Sequence, residues 1–450
     1  MENTPLYDAL RAFAAQSPLR MHMPGHKGKP LPAPELAGLA ALDFTELPPT
    51  GNLFDGGGAI GAAEALWAEA FRMDSCLFLT GGSTQGVLAA LTLACPSGGA
   101  VLVDRGCHRS VFHALALLDL DPVYVPRPWL AGGGVTGPIS PEAVEALLEA
   151  RPNVKALCIT SPTYYGVLSD IPALAAVMHR RGGVLVVDGA HGAHLPFLGL
   201  DHFSHADLAV VSAHKTLPAP GQTALLLAGG GGPFTHADLR RAGSIYGSSS
   251  PSYPLMAALD LCRAHMEGEG AAAYRAAAEA AAALRRDFPA LTEETAPLDP
   301  TRLTLLSSDG LAAQAALEGQ NVWPEMADRG HVVLILTCAD GPADIARLRA
   351  ALAGTRLGPC PALPPPPELP ERVLTPRQAL FAPGRELPLD RAEGEVAAAP
   401  IAPYPPGVPV VAPGERIGKK SIAYLKEIGY NGESPCRVCV RQGPSAYDAG

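Results

Sequence analysis

Between about residues 75 and 230, short β-branched runs alternate with helical patterns, and this alternation constrains the fold more than any other feature. The runs lie at 77–79, 100–104, 123–125, 154–159, 184–188, 208–212 and 223–228. Strands separated by helix-length segments predict an α/β domain with a mostly parallel seven-stranded sheet wrapped by helices. Ligands of such sheets collect outside the carboxyl ends of the strands, and the conspicuous polar residues of this chain fall there.

Downstream, 255–288 reads as a long Ala-rich helix broken near Gly268 and Gly270. It leaves the sheet for a small α+β domain whose best strands are 301–306 and 331–337. The stretch 359–370 carries too many prolines to continue a helix or a ladder and should act as an extended linker. The division expected is an N-terminal arm (1–45), a major domain (46–265), a small domain (266–358), a linker (359–372) and a C-terminal domain (373–450). The tail beyond about Tyr430 is expected to be loosely ordered.

With 450 residues, 48% of them hydrophobic, the chain can bury the cores of two or three domains. A formal charge of -10 argues against a general nucleic-acid surface and leaves small molecules as the expected partners. Nine cysteines, an odd number, suggest reduced thiols in a cytoplasmic protein. Cys436-Arg-Val-Cys439 could supply half of a zinc site, but no second Cys or His pair accompanies it, so no metal is assigned. The N-terminus has no basic region leading into an apolar run. No apolar stretch approaches the roughly 20 residues of a membrane span, so no membrane partner is expected.

Two strand ends carry the chemistry. The run at 208–212 delivers Ser212-Ala-His214-Lys215, and the run at 184–188 ends in Asp188-Gly-Ala190-His191. A lysine and an aspartate at neighbouring strand ends suit pyridoxal 5'-phosphate: the amine can form a Schiff base with the aldehyde, and the carboxylate can keep the pyridine nitrogen protonated. Ending an apolar run, Asp188 would be costly to bury without a charged partner, and a pyridinium would be one. Ala190 is small enough to let a ring approach. Thr80-Gly-Gly-Ser83-Thr84 opens a helix directly after a strand, so backbone amides, hydroxyls and the helix dipole converge on a phosphate cup. Ser212 and His214 offer further donors. His108, after another strand end, could lie on the cofactor ring, and His191 and His194 follow Asp188 without an assigned role.

The set Met21-His-Met-Pro-Gly-His-Lys27, Cys107-His-Arg-Ser110, Ser161-Pro-Thr-Tyr-Tyr-Gly166, Asp188-Gly-Ala-His-Gly-Ala-His194, Ser212-Ala-His-Lys215, Ser249-Ser-Pro-Ser-Tyr253, Ala258-Leu-Asp260 and Asp299-Pro-Thr-Arg302 resembles the short form of the prokaryotic ornithine/lysine/arginine decarboxylases. Leu374-Thr-Pro-Arg377 and Pro403 to Pro409, continuing through Pro413-Gly-Glu415, resemble that family's C-terminal signature. The resemblance implies the aspartate-aminotransferase-like fold and decarboxylation of a basic amino acid, arginine first and lysine or ornithine next, feeding polyamine metabolism. It gives Lys215 the covalent bond to the cofactor, Asp188 the ring nitrogen, His108 the ring face, and Ser83, Thr84, Ser212 and His214 the phosphate. Ala190 and His191 complete the cofactor set. It further implies a homodimer with the active site at the subunit boundary, near Ser249 or Ser250. Members commonly show Gly-Arg-Ile where this chain has Gly394-Glu395-Val396, and a lysine where it has Arg109. Glu415 and Glu395 are the expected acidic partners of the substrate's distal cation. On the residues alone an aminotransferase or lyase with the same cofactor stays open, as does a non-catalytic regulator, although intact Asp188, His108 and Lys215 speak against the regulator.

Overall fold

The computed structural model describes residues 3–31, 33–36, 38–96, 98–229, 231–403 and 407–440. Tyr404, Pro405 and Pro406 of the C-terminal signature, and the tail from 441, lie outside the described residues. The large sheet is formed by β1 (Ser75–Leu79), β2 (Gly99–Asp104), β3 (Leu120–Val125), β4 (Ala156–Thr160), β5 (Val184–Asp188), β6 (Leu208–Ser212) and β7 (Ala224–Ala228), in the order β1-β7-β6-β5-β4-β2-β3. Neighbours from β3 to β6 pair in parallel, while β7 runs antiparallel to both β6 and β1. Both β6 and β7 are buried at every position, which is why they read as unbroken apolar runs instead of alternating ones. The edge strand β3 begins at Leu120, earlier than its sequence suggests. It contains Pro122, which a sheet tolerates at an edge because no ladder donor is needed there.

Helices cover the sheet: α1 (Pro5–Ala15), α2 (Gly58–Phe71), α3 (Gly82–Ala94), α4 (Arg109–Leu117), α5 (Ile171–Arg180), α6 (His236–Tyr246) and α7 (Tyr253–His265). Asp260 of α7 accepts the backbone N–H groups of Leu6 and Tyr7 at 2.9 and 3.0 Å, satisfying two orphan donors at the start of α1. The break near Gly268 is present as a wide turn, Met266–Gly270, in which Gly268 leaves helical geometry (φ -98, ψ -114) before α8 (Ala271–Asp287) resumes.

Past α8, the strands β8 (Arg302–Leu306), β9 (Met326–Ala327) and β10 (His331–Ile335) form an antiparallel sheet in the order β8-β10-β9. Leu303, Leu305, Val332 and Leu334 pack there on Leu284 of α8 and on α9 (Gly310–Glu318) and α10 (Pro342–Ala353). Residues 356–371 have no regular secondary structure. A third core, around Leu389, Ile401, Val411, Ile417, Leu425 and Val438, lies among β11 (Gly384–Pro388), α12 (Lys419–Glu427) and β12 (Pro435–Cys439), and α11 (Pro376–Phe381) packs beside it through Ala379 on Ala398 and Cys439.

The tail therefore departs from expectation: 435–439 is a strand paired along its whole length with β11. Its alternating burial was hidden between polar residues. Three positions apart on a strand, Cys436 and Cys439 face opposite sides. Cys436 joins the third core, while Cys439 packs with Ala379 and Ala398. Among the described residues no helix is long and apolar enough to cross a membrane.

Candidate active site

Four loops meet at the carboxyl ends of the central strands. Parallel pairing sets Asp188 at the end of β5 opposite Val210, so β6 carries Ser212 just past it and the turn 213–216 presents Lys215. Asp188 is buried, and the N–H of Ala190 donates to its Oδ1 at 3.2 Å. Burial pushes the Asp188 carboxyl up, and the nearby Lys215 ammonium pulls it back. For Lys215 desolvation lowers the pKa, Asp188 and Glu325 oppose that shift, and Arg302 adds to it.

His191 sits between two cationic side chains, with Nε2 3.2 Å from Lys215 Nζ and Nδ1 3.3 Å from Arg302 Nη2. Burial first, then Lys215 and Arg302, hold its imidazole well below the usual range, so the ring is neutral. A guanidinium can only donate, so Nδ1 must accept from Arg302 and the ring proton resides on Nε2. That N–H faces Lys215 Nζ, which can accept it once the amine gives up its proton, and the lowered pKa of Lys215 favours that nucleophilic form. Arg302 is itself buried and keeps Nε and Nη1 without partners among the described residues. The ring of Tyr164 packs on His191 at 4.7 Å, and its hydroxyl donates to Glu325 at 2.6 Å.

The phosphate-cup residues are joined to this turn through the loop before β7. Gly82 N–H donates to the carbonyl of Gln222 at 2.9 Å, and His214 Nδ1 lies 2.8 Å from the next carbonyl, that of Thr223. Among the described residues no side chain caps α3, so the amides around Ser83 and Thr84 stay open at the positive end of a thirteen-residue helix. Ser212 Oγ is buried without a partner among the described residues. An uncapped helix start, an orphaned hydroxyl, a lysine amine of lowered pKa and a buried carboxylate are what pyridoxal 5'-phosphate needs, and the residues present fit it.

His108 is the N-cap of α4, with Nδ1 accepting from Ser110 N–H at 3.2 Å and lying 2.9 Å from Ser110 Oγ. Although the residue is exposed, desolvation of the ring and then the cations of Lys215 and Arg109 hold it at about 4, neutral with its proton on Nε2. His194 has a different part. It is buried, stacked on Tyr274 at 5.1 Å, with Nε2 3.0 Å from both Asp299 Oδ1 and Thr301 Oγ1, so it ties the major domain to the start of β8.

The two acids expected to meet a distal cation are engaged elsewhere. Glu415 is buried against Arg105, and Glu395 pairs at 3.2 Å with exposed Arg385. Glu325, immediately before β9, is instead within electrostatic reach of Lys215 and Arg302.

The model of the Orn/Lys/Arg decarboxylase major domain matches residues 4–301, and that of the C-terminal domain of the same enzymes matches 367–433. The chain belongs to the Orn/Lys/Arg decarboxylase family. It is thus an amino acid decarboxylase, with a site whose residues fit pyridoxal 5'-phosphate. The uncharacterized protein YaaO of Bacillus subtilis is 32% identical over 95% of this chain and 94% of its own. An arginine decarboxylase of Halalkalibacterium halodurans is 28% identical over 95% and 93%. The crystal structure of the Francisella novicida lysine decarboxylase LdcF superimposes with a TM-score of 0.82 at 21% identity, covering 97% of this chain and 81% of that one, and so shares the fold.

Proposed function

We propose that this decarboxylase acts on L-arginine, with lysine and ornithine as weaker substrates, releasing carbon dioxide and the corresponding amine for polyamine metabolism in the cytoplasm. The observation that carries the site assignment is His191, which lies within hydrogen-bond reach of both Arg302 and Lys215 at the strand ends that carry the buried carboxylate of Asp188. Arginine is placed first because relatives aligned over nearly the whole chain are named arginine decarboxylases, whereas the lysine enzyme of Pseudomonas aeruginosa aligns with 59% of it.

When bound, the cofactor supplies the electron sink for the pair released as the carboxylate departs. The chain's part is placement and proton handling. Ser83, Thr84, Ser212 and His214 hold the phosphate, Ala190 leaves room for the ring, and Asp188 keeps a proton on the ring nitrogen. We assign Glu325 to the distal guanidinium or ammonium. His108 would lie on the ring, and His108 or Lys215, once carrying an added proton, would return that proton to the carbon that lost the carboxylate. The subunits pair, with Ser249 or Ser250 at the boundary, and the domain bounds 1–45, 46–265, 266–358, 359–372 and 373–450 are retained. The test is a product screen of purified protein with cofactor and carboxyl-labelled arginine, lysine and ornithine. Agmatine with labelled carbon dioxide is the expected result, and a keto acid without carbon dioxide would refute it.

A further inference from the structure

We propose that the C-terminal domain positions His108 by gripping both ends of the element that carries it. The proposal rests on the reading of His108 as the residue lying on the cofactor ring, and it gives the family's C-terminal signature a task at the active site.

The ring of His108 has little fixing of its own. Its only hydrogen bonds among the described residues go to Ser110, two positions along the same helix turn. The place of the ring is therefore inherited from the backbone of 105–108 and from α4. Arg105, three residues before His108, belongs to the loop leaving β2, and its guanidinium is held by the C-terminal domain. Nη1 donates to Glu415 Oε1 and Nη2 to Glu415 Oε2, both at 2.8 Å, and Nη2 also donates to the carbonyl of Val410 at 3.0 Å. The guanidinium lies over the ring of Tyr124 at 4.6 Å, and Glu415, 1% exposed, accepts a further N–H from Ala412 at 2.7 Å. At the far end of α4, Nη1 of Arg377 donates to the carbonyls of Ala116 and Leu117 at 3.2 Å. These are terminal carbonyls without an intrahelical partner, and a cation there also complements the helix dipole. Arg377 belongs to α11, which packs against α4.

A buried bidentate ion pair adds little net stability over apolar packing of the same volume, but it fixes direction closely. This pair at one end and the Arg377 contact with the terminal carbonyls at the other define where the N-cap residue of the short helix stands. Arg377 and Glu415 close the two signature stretches, Leu374–Arg377 and Pro413–Glu415, so one grip accounts for both.

Holoprotein variants test this. Arg377→Met removes the far contact at an exposed side chain. The double variant Arg105→Met with Glu415→Met removes the near one without leaving an unpaired buried charge. Each is expected to lower kcat about tenfold while KM stays within about twofold, and to reduce the visible circular dichroism of the bound cofactor toward the His108→Ala value. Placed in a His108→Ala background, each should cost less than about twofold more, and Arg377→Lys should restore the parent signal. Parent-level kcat and dichroism in both variants, or an undiminished loss in the His108→Ala background, would overturn the proposal. If the double variant does not fold, Arg377→Met and its Lys rescue decide. If the parent decarboxylates none of the basic amino acids, the assigned function fails while the dichroism comparison still decides the grip.

Discussion

Removing Arg302 takes away both a charge that lowers the Lys215 pKa and the donor that fixes the His191 tautomer. In Arg302→Met the amine should therefore hold its proton to higher pH. Glu325 acts in the opposite sense, because its carboxylate raises the Lys215 pKa, so Glu325→Gln should release the proton at lower pH. Capture of the cofactor requires the unprotonated amine and accelerates as pH rises through the Lys215 pKa. Followed by absorbance in apoprotein, the capture profile should move to alkaline pH in the first variant and to acid pH in the second. Shifts of the same sign would remove either residue from the site. Lys215→Ala should lose both turnover and the visible absorption of bound cofactor after dialysis, while Asp188→Ala should keep part of the cofactor and lose turnover by about 100-fold or more. Undiminished decarboxylation in Asp188→Ala would refute its role at the ring nitrogen. Lys215, Asp188, Ser212 and His108 were legible because each ends or closely follows an apolar strand, where α/β sheets place ligands. Glu325 was not, because its strand β9 pairs only locally with β10, while the contact that brings it to the site, with Tyr164, spans 161 positions. Its only local sign is an acid directly before the short strand β9. Arg302 stood in a recognisable motif, yet its hold on His191 spans 111 positions, a distance no local pattern reports.

At the level of elements, the loop between β4 and α5 approaches β8 so closely that a side chain is excluded. Gly166 has φ +89, and a methyl group there would lie 2.7 Å from Cβ and Cγ of Arg302. Gly166→Ala combines left-handed strain with a clash against the residue that orients His191, and should cost about 2 kcal/mol or more of stability. Urea unfolding of the apoprotein measures this, and an unchanged midpoint would show that the loop yields without cost. The elements themselves were mostly readable. The bounds of β5 and β6 match their apolar runs because neither strand exposes an alternating face, and Gly268 breaks the long helix where its composition indicated. Two readings failed for identifiable reasons. Pro122 concealed the start of β3, since a proline argues against a strand except at an edge, and edge position is a property of the whole sheet. β12 was taken for a loose tail because its partner β11 lies almost fifty residues earlier and is polar on its open face.

For the whole molecule, the unexplained surface is apolar and lies in the N-terminal arm. Leu19, Met21 and Met23 are 88%, 80% and 62% exposed, and Leu36 and Leu39 follow at about half exposure in the same arm. Scattered single hydrophobics need no account, but this many in one short segment point to a surface that another molecule covers. A second copy of the chain is the partner expected here. Burying a Leu or Met side chain contributes about 1.5–3 kcal/mol, so Leu19 and Met21 together would supply roughly 3–6 kcal/mol per arm, enough to move a dimerisation constant by 100-fold or more. Sedimentation at micromolar concentration should give about twice the chain mass of 46.5 kDa for the parent. The double variant Leu19→Glu and Met21→Glu should sediment as a monomer at the same concentration, because a dimer would have to bury two unpaired carboxylates from each arm. Its far-ultraviolet dichroism should match the parent, since both side chains project from the core. A parent that sediments as a monomer, or a double variant that stays dimeric, would assign the apolar arm to something other than pairing of two chains.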